Sequence, residues 1–289
     1  MTGAARSGRG RRGRPFDPPL AAASLSGVAD AAWARAVADR VGCAFLGGVS
    51  LDPPSRAAAR DLVARDREEF LPADPVAFVD DQLAALEESG AGADLRPAVN
   101  LRSATPEPLR EAARVCADRG AIAEVNAHCR QPELCAVGCG ERLLREPARL
   151  REHVRAAAGA GATVSVKVRA EVPGVDLPAV AVAVAEAGAD LVHVDAMDSE
   201  AVVGDVVDAL RERAGEGSDR SERPFVIANN EVRDRATVRE YLAHGADAVS
   251  VGRPTAPDAD GAALDRVASA VADLTDAGPD AGDSREAPP

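Results

Sequence analysis

Eight short apolar runs punctuate the chain, at 20–24, 43–47, 97–101, 122–126, 163–169, 190–195, 225–229 and 248–252. Each is bounded by turn residues and followed by a segment with helical features, so the pattern predicts eight strand–helix units. Several of the expected helices carry start signals. Thr105 stands before Pro106 as an N-cap ahead of a first-turn proline, and Asp176 and Asp234 offer capping carboxylates. Gly188 and Gly245 follow two of these helices, where a left-handed residue is expected. One stretch, 179–184, alternates Ala and Val with the period of a strand. Its place between two stronger strand predictions, with Asp176 and Pro178 ahead, favours a helix instead. Parallel strands need crossover helices, and eight units over about 250 residues predict a closed (β/α)8 TIM barrel, with a doubly wound sheet as the alternative.

Composition adds boundaries to that picture. The 289 residues are 46% hydrophobic but only 2% aromatic, so the core is expected to be built from Ala and Val on regular elements. An Arg- and Gly-rich arm over 1–17 and an Asp/Gly/Pro-rich tail over 276–289 lack the apolar residues that repay ordering, leaving 18–275 for the barrel. No apolar run approaches the roughly 20 residues of a membrane span, and no signal-peptide core follows the arm, so the expectation is a cytoplasmic protein without a membrane partner. A formal charge of −13 resembles the acidic surfaces of proteins from salt-rich cytoplasm. It argues against a broad electrostatic footprint for nucleic acid.

Candidate chemistry falls where the apolar runs end, because a barrel carries its active site at the C-terminal ends of the strands. Asn100, Asn126 with His128 and Cys129, Lys167 with Arg169, Asp195, Asn229 with Asn230, and Gly252 with Arg253 all stand there. Lys167 is the only lysine among 34 basic residues, and it lies inside a strand. Three roles suit it: a Schiff-base amine, a cation beside an anionic cofactor, or the ion-pair partner of Asp195. The turns after the seventh and eighth runs, with Asn229, Asn230, Gly252 and Arg253, suit a phosphate monoester. Five cysteines in such a chain argue against a disulfide framework, and the spacing of Cys129, Cys135 and Cys139 lacks the close pairing of common zinc sites, so no metal is expected. Cys129 could give a proton as a thiol.

The segment Asn126-Ala127-His128-Cys129 with its following Gly and Leu-Leu pattern resembles the Asn-x-Gly-Cys-Pro segment of the tRNA-dihydrouridine synthases. The similarity continues, in order, through 166–169, 227–232 and 245–247 to Gly252 and Arg253, and residues 26–30 resemble that family's Ala-Gly-Val-Thr-Asp turn. An archaeal branch of these flavin barrels is the nearest in pattern. The resemblance implies FMN, with its phosphate near Asn229, Asn230, Gly252 and Arg253, Asn100 in place of a glutamine near the flavin, and Lys167 at the N1/O2 edge of the ring. It implies further that Cys129 protonates C5 of a uracil ring while hydride reaches C6, with NADPH or NADH as electron donor and tRNA as substrate.

Departures from the family pattern are Asp195 in place of a His, Glu133 in place of a Lys, and Asn230 in place of a Gly. The helical tRNA-binding domain that usually follows the barrel is not seen after Arg253, beyond a last barrel helix expected over 262–274. A flavin oxidoreductase of a free small molecule, such as a dihydropyrimidine or dihydroorotate, is therefore the alternative. A Schiff-base lyase using Lys167 on a phosphorylated substrate is a third reading.

Overall fold

The eight predicted runs become eight parallel strands that pair in chain order and close on themselves. They are β1 (Leu20–Ala22), β2 (Cys43–Ser50), β3 (Arg96–Arg102), β4 (Ile122–Asn126), β5 (Thr163–Arg169), β6 (Leu191–Asp195), β7 (Phe225–Asn229) and β8 (Ala248–Val251). The computed structural model describes residues 14–90, 94–215 and 222–276. The helices, in order, are α1 (Ala31–Val37), α2 (Pro53–Val63), α3 (Pro75–Glu88), α4 (Pro106–Asp118), α5 (Pro132–Ala136), α6 (Pro147–Gly159), α7 (Leu177–Glu186), α8 (Val202–Ala214), α9 (Arg235–Ala243) and α10 (Ala262–Asp276). The closed barrel is thus the outcome, and the open doubly wound sheet is not.

Strand alternation separates two cores. On β5, Val164, Val166 and Val168 point outward and join the main apolar cluster beneath the helices, while Ser165, Lys167 and Arg169 belong to the barrel interior. The interior itself is graded along its axis. Its floor is apolar: Phe16, Ala21, Cys43, Phe45, Ala98, Ile122, Leu191, Ile227 and Ala248 form a separate cluster at the N-terminal ends of the strands. Above it lies a polar layer, and above that the mouth.

Local signals act mostly as expected. The Asp176 carboxylate accepts from Ala179 N at 3.0 Å and starts α7 in spite of the strand-like alternation of 179–184. Asp234 makes a reciprocal capping box with Thr237. Gly188 and Gly245 take φ of +106° and +87° at the helix ends. Thr105 differs: it stands at the N-cap of α4 but makes no capping bond, and its hydroxyl instead donates to Asp52 Oδ2 at 3.3 Å.

At the chain ends, residues 1–13 of the expected arm and 277–289 of the expected tail lie outside the described residues. The described part of the arm departs from expectation. Phe16 is 3% exposed and packs edge-on against Phe225 with ring centroids 5.3 Å apart, so it plugs the barrel floor rather than trailing in solvent. Among the described residues no helix is long and apolar enough to cross a membrane.

Candidate active site

A cavity of about 520 Å³ opens at the C-terminal ends of the strands. Its lining combines Ala23, Ser24 and Leu25 after β1, His128 after β4, Lys167 on β5, residues 229–233 after β7 and residues 250–254 at the end of β8. The fold therefore brings Lys167, Asn229, Asn230, Gly252 and Arg253 to one place. Asn100, Asn126, Asp195 and Cys129 are not on that lining.

Lys167 is 2% exposed, and among the described residues no carboxylate lies within ion-pair distance of its ammonium. The pairing with Asp195, one of the three roles open to Lys167, is not formed. The reason lies in the register: Lys167 faces Asn126 on one side and His193 on the other, while Asp195 is level with Arg169. Burial pushes the Lys167 ammonium below its ordinary range, and the fields of Glu124 and Asp195 partly oppose that fall. Arg169 turns instead to Glu141, at 3.0 Å.

Asp195 is turned towards His128. Its Oδ2 lies 3.6 Å from His128 Nδ1, an ion-pair contact when the ring is protonated and slightly long for a hydrogen bond. Burial and the neighbouring Lys167 lower the His128 pKa to about 4, against the pull of Asp195, so the ring is neutral at pH 7. Burial alone would raise the Asp195 carboxyl, but His128, Lys167 and the Met197 N–H together hold it at about 2.

Beneath the cavity runs a buried network that the motif reading passed over. Asn126 Nδ2 donates to Asn100 Oδ1 at 2.8 Å, and Asn100 Nδ2 donates to Glu124 Oε1 at 2.8 Å. Glu124 Oε2 accepts from Ser165 Oγ at 3.0 Å and meets His193 Nδ1 at 2.8 Å, and His193 Nε2 meets Ser250 Oγ at 2.7 Å. Burial would push Glu124 up, yet His193, Lys167 and the Asn100 donor hold the carboxyl below its usual range. Burial drives His193 toward the neutral ring, which suits donation to Glu124 and acceptance from Ser250. The signal available in the sequence was an ionisable residue, Glu124 or His193, at the middle of a short strand between apolar neighbours.

Asn100 and Asn126 are therefore members of this network rather than of the cavity wall. Asn126 also accepts the Cys129 N–H at Oδ1, 3.1 Å away, and so fixes the start of the loop that carries the thiol. Cys129 packs beside Ala58, Leu62, Ala104, Leu134 and Cys139, on the α2 and α5 side of the mouth. Its carbonyl accepts from Glu141 N at 2.8 Å. Gly140, at φ +63°, passes so close that a Cβ there would meet that carbonyl oxygen at 2.1 Å. Glu133 pairs with Arg65 at 2.9 Å and ties α5 to α2. Among the described residues no group of three or more His, Cys, Asp or Glu side chains is gathered to hold a metal, and all five cysteines are free.

The turns after β7 and β8 are braced by their own side chains. Asn229 Nδ2 donates to Ser250 O at 3.1 Å, joining the two strand ends. Asn230 sits at φ +95°, a conformation that explains why a Gly would serve there and that Asn tolerates better than most residues. Its Nδ2 donates to Met197 O at 2.7 Å, and its carbonyl accepts the Tyr241 hydroxyl at 3.0 Å. Arg253 lies at the rim with its side chain 90% exposed, 3.8 Å from Glu231, which also pairs with Arg233 at 2.8 Å.

Comparison with known proteins adds the fold and little more. No family model matches the chain. An uncharacterised protein of Methanocaldococcus jannaschii is 27% identical over 240 residues, which cover 82% of this chain and 89% of that protein. Among solved structures, an IMP dehydrogenase/GMP reductase-like protein from Corynebacterium glutamicum aligns with a TM-score of 0.51 and 19% identity. The alignment covers 83% of this chain and 64% of that one. A mandelate oxidase mutant holding a C4a-OH-FMN adduct aligns with a TM-score of 0.53 and 18% identity, over 89% of this chain and 74% of that one. At such identities the shared property is the barrel.

Proposed function

We propose that this barrel is an FMN-dependent oxidoreductase that reduces the C5–C6 double bond of a pyrimidine, with NADPH or NADH as electron donor. Uridine in tRNA is the substrate that the likeness to dihydrouridine synthases implies. The observation that carries the flavin is the meeting, in one cavity, of a buried ammonium without an ion-pair partner and the polar turns of β7 and β8. The fold supports it as well, since a mandelate oxidase with a flavin adduct is built on the same barrel.

The residues fit the group on two counts. An unpaired buried ammonium is unfavourable unless an anion joins it, and a flavin ring edge is such an anion when reduced. At Gly252 an added Cβ would meet only Leu25 Cδ2, at 3.8 Å, so the packing leaves room for a ligand beside that turn. When bound, FMN would supply the hydride that reaches C6 of the pyrimidine. Lys167 would hold negative charge at the ring edge, and Asn229, Asn230, Gly252 and Arg253 would hold the phosphate. Cys129 would give its thiol proton to C5, the loop that bears it being anchored by Asn126.

The absorption spectrum of purified protein with added FMN is the first test. Retained FMN with a perturbed visible spectrum is the expected result, and a colourless protein that retains none rejects the proposal. Dihydrouridine mapping in RNA from a deletion strain then tests the substrate, and unchanged RNA rejects tRNA.

Two features favour other readings. Glu231 stands between Arg233 and Arg253 at the rim of a strongly acidic chain, which opposes RNA and favours a free small molecule such as a dihydropyrimidine or dihydroorotate. Turnover with the free compound and none with tRNA would select that reading. The lowered Lys167 ammonium also suits a Schiff-base lyase, and borohydride trapping at Lys167 with a phosphorylated carbonyl compound would reveal it.

A further inference from the structure

Cys129, the expected proton donor, lies off the cavity wall, whereas His128 lies on it beside Lys167. The ring has an orienting partner. Its Nδ1 is the nitrogen nearest the Asp195 carboxylate, which favours the tautomer with the proton on Nδ1 and leaves the Nε2 lone pair on the opposite edge of the ring. The two groups come from different strands, the end of β4 and the end of β6, and neither side chain has a closer charged partner among the described residues. The side chains are 25% and 17% exposed, and His128 lines the cavity while the pair is mostly shielded from bulk water.

We propose that His128 is a catalytic acid–base residue of this cavity, and that Asp195 is its positioning residue. The substrate class is a compound with an ionisable N–H or C–H next to a carbonyl, the oxygen of which Lys167 would bind. Nε2 takes the proton, the electron pair left behind is stabilised as an oxyanion at the Lys167 ammonium, and the imidazolium is held by the Asp195 carboxylate until it returns the proton to product or water. In the reverse direction the imidazolium is the donor. The arrangement does not require a flavin, so it stands apart from the cofactor assignment.

The charged groups acting on His128 are Lys167 from β5, which opposes its protonation, and Asp195 from β6 and Glu124 from β4, which favour it. Diethylpyrocarbonate, which acylates neutral imidazole, is the probe, with each site quantified by mass spectrometry on the full chain. His128 is expected to react at pH 7, ahead of the fully enclosed His153 and His193. Its rate should be flat near neutral pH and fall only towards about pH 4. Asp195→Asn and Asp195→Ser, measured in parallel, should each move that fall to lower pH by about one unit or more, since an opposite charge is lost. An unreactive His128, or a profile that neither Asp195 variant moves, overturns the proposal. Adding FMN separates the two claims: protection of His128 with a perturbed flavin spectrum supports both. Acylation of His128 that FMN leaves unaffected, with no spectral change, removes the flavin and leaves the dyad.

Discussion

The two ends of the barrel solve the same problem, a buried cation, in opposite ways. At the N-terminal end, Arg223 just before β7 makes two bonds to Asp247 just before β8, at 2.7 and 3.2 Å, and both side chains are almost fully buried. Asp247 also accepts the Val226 N–H at 2.8 Å, and the floor above it is filled with Phe16, Phe45 and their apolar neighbours. At the C-terminal end, Lys167 is equally buried but faces a cavity with no ion-pair partner among the described residues. A buried, doubly hydrogen-bonded pair reads as stability, and a cation without an ion-pair partner beside open volume reads as a place kept for a ligand.

Breaking the pair at the floor should have the largest effect. Arg223→Met takes the doubly bonded guanidinium away from the buried Asp247 carboxylate and is expected to lower unfolding stability by about 3–5 kcal/mol in urea titration. An unchanged midpoint would mean that the floor is not the stabilising end. Lys167→Met should do the reverse: stability holds or rises, while affinity for FMN, read by fluorescence titration, falls by about 10²-fold through loss of a charge-assisted contact. Loss of stability without loss of affinity would make Lys167 a structural residue like Arg223.

Cys129→Ala sharpens the contrast within the mouth. It should keep FMN bound and slow pyrimidine reduction by about 10²-fold, the scale of a lost general acid. A variant as fast as wild type would leave proton transfer to groups on the cavity wall. The smallest effect concerns pH. The unfolded His128 ring protonates near 6.5 and the folded one near about 4. The unfolded chain thus binds more protons between those values, and stability falls as pH drops through that window. With a quarter of the ring open to solvent the loss should be roughly 1–2 kcal/mol, and His128→Gln should remove that part of the slope. Burial lowers His153 and His193 as well, so some slope of the same sign remains in the variant.

Much of the architecture was legible because apolar runs and punctuation act locally. All eight strands fall within two residues of the predicted starts, and α7 formed where a capping carboxylate and a proline outweighed the alternation of 179–184. Phe16 was misplaced in a trailing arm, since a single aromatic among Arg and Gly carries no periodic signal. The site was legible only in part. Strand-end position pointed to the cavity that Lys167 shares with the turns of β7 and β8, because in a barrel that position is a coordinate in space. It gave no means of knowing which neighbour each side chain would meet.

What the sequence by itself determined is therefore the set of elements, their order and the polar residues at their ends, all consequences of short-range periodicity and turn chemistry. Tertiary structure decided the pairings. The stagger between β5 and β6 places Lys167 beside His193 and lifts Asp195 one inward position higher, to His128 rather than to the lysine. It also threads Asn126, Asn100, Glu124, His193 and Ser250 into one chain of hydrogen bonds across four strands. Register between strands is a property of the closed barrel as a whole, and no single strand encodes it.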